Sequence, residues 1–96
     1  MSGPRRPPHP GQLLAKTVLP RLGVSISQAA RELGVTRQTL HRLMAAQVPV
    51  TPGIALRLGR YSGRPAELWL LLQQAHDLWH SRRVLRSQLT RIPSRG

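Results

Sequence analysis

The fold is decided by residues 33 to 44, Leu33-Gly34-Val35-Thr36-Arg37-Gln38-Thr39-Leu40-His41-Arg42-Leu43-Met44. Gly34 follows the last apolar residue of one helical pattern, and glycine is the usual residue where a helix ends in the left-handed conformation. Two positions on, Thr36 has the side chain of an N-cap, whose oxygen accepts from the free amides of a new first turn. Leu40, Leu43 and Met44 then recur at helical spacing and define one apolar face. Gln38 and Arg42 fall opposite that face, His41 on its flank, and Arg37 in the exposed first turn. The stretch reads as a tight turn feeding a short helix with a polar surplus.

Upstream, Ser25 has the character of an N-cap, and Gln28 three residues later completes a capping-box pattern. Ile26, Ala29, Ala30 and Leu33 follow at helical spacing, which predicts a helix over about 26–33. Two short helices joined by a Gly-containing turn make a helix-turn-helix, here over about 26–46. Ala29 and Ala30 are small enough to let the two helices approach. In such a motif the second helix lies in the DNA major groove with its N-terminal residues at the base edges. Arginine matches the O6 and N7 of guanine, and glutamine the N6 and N7 of adenine, each good pair discriminating by about 1–3 kcal/mol. Arg37, Gln38, His41 and Arg42 have no packing task, and their chemistry suits base reading.

Working outward, Pro10 opens a helix over about 11–19 that buries Leu13, Leu14 and Val18, and Pro20 is expected to end or bend it. Residues 45–50 form a connection. Thr51 caps a fourth helix with Pro52 at its first position, where the missing amide hydrogen does no harm. Ile54, Ala55 and Leu58 face inward and Gly63 stops the helix. A fifth helix runs from Pro65 to about Arg83 with Leu68, Trp69, Leu72, Ala75, Leu78 and Trp79 on its apolar stripe, for core or dimer contacts. The expectation is an all-α domain of five helices over 9–85. Basic tails flank it, 1–8 disordered and 86–96 flexible.

Charge identifies the class of partner. Fifteen basic residues face three acidic ones, a formal net charge of +12, and all the basic residues but Lys16 are arginine. Such an imbalance costs self-repulsion and points to a polyanionic partner. The absence of cysteine excludes disulfides and thiolate metal sites. The apolar run around Leu68 to Leu72 is far too short to cross a bilayer, and no apolar core follows the basic N-terminus, so a cytoplasmic protein is expected. His76 and His80 stand four apart, a spacing that can hold a metal, but no third ligand accompanies them. Exposed helix histidines are the expectation, with no metal and no cofactor. Ser25, Ser27 and Thr36 are better used as caps than as nucleophiles, and no nucleophile–base–acid set or phosphate loop appears, so the chain is not expected to be an enzyme.

Residues 9 to 78 resemble the HigA-type antitoxins, a branch of the Xre, or lambda-repressor-like, helix-turn-helix family. The resemblance rests on His9-Pro10-Gly11, Leu22-Gly23, Leu33 to Thr39, and Thr51 with Ala55-Leu56-Arg57-Leu58. It rests most specifically on Glu67-Leu68-Trp69-Leu70, Leu72-Gln73 and Asp77-Leu78. It implies a lambda-repressor-like five-helix domain that forms a homodimer, binds a palindromic operator in its own promoter, and neutralises a RelE-like toxin that cuts messenger RNA. By family position Arg37, Gln38 and Arg42 contact bases, with His41 an additional contact; Thr36, Thr39, Gln47 and Arg57 are the phosphate contacts expected of this chain. A solitary regulator without a toxin, or a toxin-neutralising module that has lost DNA binding, are the alternatives.

Three departures accompany the resemblance. Ile26 stands where the family commonly has a phosphate-touching glutamine. Ala45, Ala46 and Gln47 replace an Asn-Gly and its basic neighbours, which moves phosphate anchoring toward Arg57, Arg60 or the tails. Gln12, Lys16 and Thr17 replace acidic residues of the first helix and reduce complementarity to a basic toxin.

Overall fold

The computed structural model describes residues 5–96, whose regular elements are all helices with no strand among them. The expected disorder of residues 1–8 falls partly outside this range; residues 5–9 are coil. The elements are α1 (Pro10–Leu13), a π-helical turn (Leu14–Val18), α2 (Leu19–Leu22), α3 (Ile26–Leu33), α4 (Arg37–Met44), α5 (Pro52–Ser62), α6 (Ala66–Val84) and α7 (Arg86–Thr90).

The first rod runs on through Pro20 to Leu22, where the sequence suggested an end or a bend. Proline has no amide hydrogen and its ring crowds the carbonyl four residues back. The π turn relieves both constraints: the Leu19 amide donates to the Leu14 carbonyl, widening the helix one residue before the proline. The rod closes at Gly23 with φ 66°. Its inner face buries Leu14, Val18 and Leu19, while Leu13 is half-buried.

The next three helices start at side-chain caps. Ser25 accepts from the Gln28 amide at 3.1 Å, Thr36 from the Thr39 amide at 3.0 Å, and Thr51 from the Ile54 amide at 3.4 Å. Each such cap is worth about 1 kcal/mol. Only the forward half of the capping box at Ser25 forms; the Gln28 side chain makes no return bond among the described residues. α3 ends in a Schellman turn, with the Val35 amide donating to the Ala30 carbonyl at 3.0 Å.

The core gathers Leu14, Val18, Leu19, Ala29, Ala30, Leu33, Leu40, Leu43, Val50, Ala55, Leu58 and Trp69. Fully burying a leucine contributes about 1.5–3 kcal/mol, so this cluster holds the helix-turn-helix against α5 and α6. Tyr61 of α5 donates to the Glu32 carboxylate of α3 at 2.6 Å. Burial first, and the carboxylate second, push the phenol up to about 12, so it remains a donor at neutral pH.

At Gly11 the first rod crosses the end of α4 backbone to backbone. A Cβ there would sit 1.8 Å from the Leu43 carbonyl oxygen, so only glycine fits. α6 spans 19 residues and projects beyond the core. Of its predicted apolar stripe, Trp69 is buried and Leu68, Leu72 and Trp79 are half-buried, but Ala75 and Leu78 are exposed. The segment expected to be a flexible tail carries α7, a short exposed helix.

Candidate nucleic-acid interface

α4 is the second helix of the helix-turn-helix, and its surface is set by what its other side must bury. Leu40 and Leu43 are within the core and Met44 packs against it. That leaves two adjacent rows, Arg37 with His41 and Gln38 with Arg42, each spaced by one helical turn. All four side chains are exposed, and none is tied by a hydrogen bond or ion pair to another side chain among the described residues. Five N–H donors on each guanidinium, and the amide of Gln38 with both donor and acceptor, are therefore free for bases.

The four residues expected at phosphates occupy different situations. Thr36 accepts from the Thr39 amide and its hydroxyl donates to Thr39 Oγ1 at 2.8 Å, so its one hydrogen is used. Thr39 accepts that bond and keeps its own hydroxyl hydrogen free to donate outward. Gln47 is exposed just beyond α4, where its amide closes a Schellman turn on the Arg42 carbonyl at 2.8 Å. Arg57 reaches across from α5 to donate to the Leu33 carbonyl at 2.8 Å. It thereby caps the end of α3 and lies over Gly34, where any Cβ would meet its Nη1 at 2.7 Å. Its remaining donors are exposed. Ile26, in the place of the family's glutamine, is half-buried and packs on the core.

A polar chain anchored on the buried Gln73 and His9 holds the connection after α4, and sequence reasoning missed it. The Val50 amide donates to Gln73 Oε1 at 2.8 Å, and Gln73 Nε2 donates to Asp77 Oδ1 at 3.0 Å. Asp77 meets His76 at 3.4 Å, and His76 packs edge-on against His9 with ring centroids 5.0 Å apart. His9 Nδ1 accepts from the Gly11 amide at 3.0 Å, making this buried histidine the N-cap of α1. Pro10 at the first helical position was the available signal for that cap. His76 and His80, expected to be exposed, are half-buried, because the crossing at Gly11 brings His9 onto α6. Burial first, and the charge of His76 second, lower the pKa of both His9 and His80 from 6.5. No group of three or more potential metal ligands converges among the described residues. No described helix is long and apolar enough to cross a membrane.

Comparison with known proteins agrees with this geometry. A family model described as a helix-turn-helix domain matches residues 12–72. Virulence-associated protein I of Dichelobacter nodosus is 37% identical over 70 residues, 73% of this chain and 65% of the relative. The chain thus spans just under two thirds of that relative's length. Antitoxin HigA-1 of Vibrio cholerae is 35% identical over 78 residues, 81% of this chain and 73% of the antitoxin. Among solved structures, the Pseudomonas aeruginosa antitoxin HigA with the higBA promoter superposes with a TM-score of 0.86 at 29% identity, covering 94% of this chain and 98% of that one. The fold, the capped recognition helix and these likenesses together place the chain in the Xre-type helix-turn-helix family that contains the HigA antitoxins.

Proposed function

We propose that this chain is a cytoplasmic antitoxin that binds its own promoter as a homodimer, represses it, and neutralises a RelE-like mRNA-cleaving toxin, with no catalysis or cofactor of its own. The observation that carries the reading is α4: a doubly capped helix fixed by Leu40 and Leu43, presenting four free polar side chains in a chain of net charge +12. Arg37, Gln38, His41 and Arg42 contact bases in this reading. Thr39, Gln47 and the outer edge of Arg57 meet phosphate, with Thr36 acting through its bond to Thr39. The likeness to an antitoxin solved with promoter DNA supports the same assignment.

Homodimerisation is supported by a seam on the projecting helices. Leu71, Leu78, Leu85 and Ile92 recur every seven residues and are 62%, 43%, 41% and 65% exposed. Leu71 and Leu78 lie in α6, Leu85 at its junction with α7 and Ile92 just past α7, an exposed apolar row at a spacing by which helices pair. Two copies would then present two recognition helices to a palindrome.

Binding of the native promoter fragment tests the reading directly. Arg37→Ala and Gln38→Ala should each weaken promoter binding by about 1–3 kcal/mol while leaving a scrambled duplex almost unaffected. Equal loss on both duplexes would remove these residues as readers. The toxin half is tested by co-expression with the neighbouring reading frames: a small basic ribonuclease should co-purify with the chain. Its absence favours a solitary regulator.

A further inference from the structure

The base-reading role leaves one charged surface unused. His9 meets His76, and His76 meets His80 with ring centroids 4.4 Å apart. His80 meets Trp79 at 5.0 Å, and the Arg83 guanidinium carbon lies 4.8 Å from the centre of the Trp79 ring. This ladder of rings leads from the cap of α1 to the end of α6 and brings together two basic segments distant in sequence. Arg5 and Arg6 precede His9 through Pro7-Pro8, and Arg82, Arg83 and Arg86 lie where α6 passes into α7. All five arginines are exposed, and Arg6 and Arg83 both act electrostatically on His80.

Among the described residues, no carboxylate pairs with these arginines. Asp77 is the nearest acid, and it is engaged by Gln73 and His76. No acidic residue precedes Glu32 or follows Asp77 in the chain. Like charges within a Debye length of about 8–10 Å repel, and a polyanion relieves that repulsion. The cluster is also placed beside the recognition element: its ladder starts where Gly11 crosses Leu43 at the end of α4 and the Val48 backbone lies against His9. There Ala45 and Ala46 supply no cation.

We propose that Arg5, Arg6, Arg82, Arg83 and Arg86 form a second, sequence-independent surface for the phosphate backbone of duplex DNA flanking the bases that α4 reads. The surface rests on the DNA-binding reading above. Guanidinium groups without local acids suit phosphate, which accepts their paired N–H donors and displaces counterions on binding.

The test is a salt titration of full-length chain on the promoter fragment and on a scrambled duplex of equal length. Two variants are compared with the parent, Arg5→Gln with Arg6→Gln, and Arg82→Gln with Arg86→Gln. All four positions are exposed and outside the ring ladder, and the thermal midpoint checks that each variant stays folded. Each should weaken both duplexes by the same factor, leave their affinity ratio unchanged, and make the plot of log K against log salt shallower by up to about 2. Unchanged slopes and affinities in both variants overturn the proposal. So does a loss confined to the promoter fragment, which would make these residues base readers. Retained DNA binding with lost retention on immobilised polyglutamate overturns it too, assigning the surface to an acidic protein. Failure of the base-reading proposal looks different: the parent chain would bind both duplexes equally, and the slope change would remain measurable on either.

Discussion

Ala46 holds φ at 60°, the single non-glycine residue in the left-handed region among those described, at the end of α4. A Cβ there costs about 1 kcal/mol, partly offset in glycine by its greater freedom when unfolded. Ala46→Gly should therefore raise stability by about 0.5–1 kcal/mol, read as a higher urea midpoint at unchanged m-value. Gly11→Ala should do the reverse. Its methyl group would enter the Leu43 carbonyl, and neither backbone can yield without displacing a packed helix. The expected cost is about 2–3 kcal/mol, measured by the same denaturation. At Arg57 the bond to Leu33 makes the side chain part of the turn that aims α4. The Gln38 and Arg37 side chains, by contrast, can be removed with little change in stability, because they touch no other side chain through a polar bond.

Between elements, the cap that seats His9 against α6 depends on His9 being uncharged. His9 can accept from the Gly11 amide only while Nδ1 lacks a proton. Its folded pKa is lowered, chiefly by burial and then by His76, and that of His80 is lowered by burial, His76, Arg6 and Arg83. Asp77 opposes both shifts. The unfolded chain, with its histidines near 6.5, therefore takes up protons before the folded one does as pH falls. The stabilisation is complete above about pH 6.5 and is lost as pH drops through the lower folded values. Denaturation midpoints at pH 7.5, 6.5 and 5.5 should decline in that order. His9→Asn keeps a capping side chain that cannot titrate, so its decline should be smaller; an identical decline would place the effect elsewhere.

At the scale of the whole molecule, the proposed pairing through the projecting end of α6 would set how two copies of α4 are spaced. If the Leu71, Leu78, Leu85 and Ile92 seam joins two copies, Leu78→Asp should yield a monomer by sedimentation at micromolar concentration. Promoter affinity should then fall by about 10²-fold or more, because the second half-site no longer binds intramolecularly. A variant that remains dimeric would move the interface off this seam. Charge acts at the same scale: with a net +12, binding to any duplex should weaken steeply with salt, whereas discrimination by α4 should not.

Much of this molecule is written locally. Ser25, Thr36 and Thr51 accept from amides three residues away, Gly34 and Gly63 stop their helices, and the polar rows of α4 follow from Leu40 and Leu43 turning inward. These features involve one or two helical turns, so residue type and spacing are sufficient to read them. The helix-turn-helix and its candidate reading residues belong to this class. Contacts between residues far apart in sequence do not. The crossing at Gly11, the Gln73 bond to Val50, the Arg57 bond to Leu33 and the burial of His9 and Gln73 became visible only in the packed chain. The same holds for the basic surface, whose two halves lie some 75 residues apart and meet because His9 docks on α6. Sequence by itself determined the three central helices, their Ser25, Thr36 and Thr51 caps and the exposed face of α4, because short-range hydrogen bonds and helical periodicity govern those. Tertiary structure alone decided which polar groups are spent inside and which charges gather outside, because steric fit and desolvation act between elements, not along them.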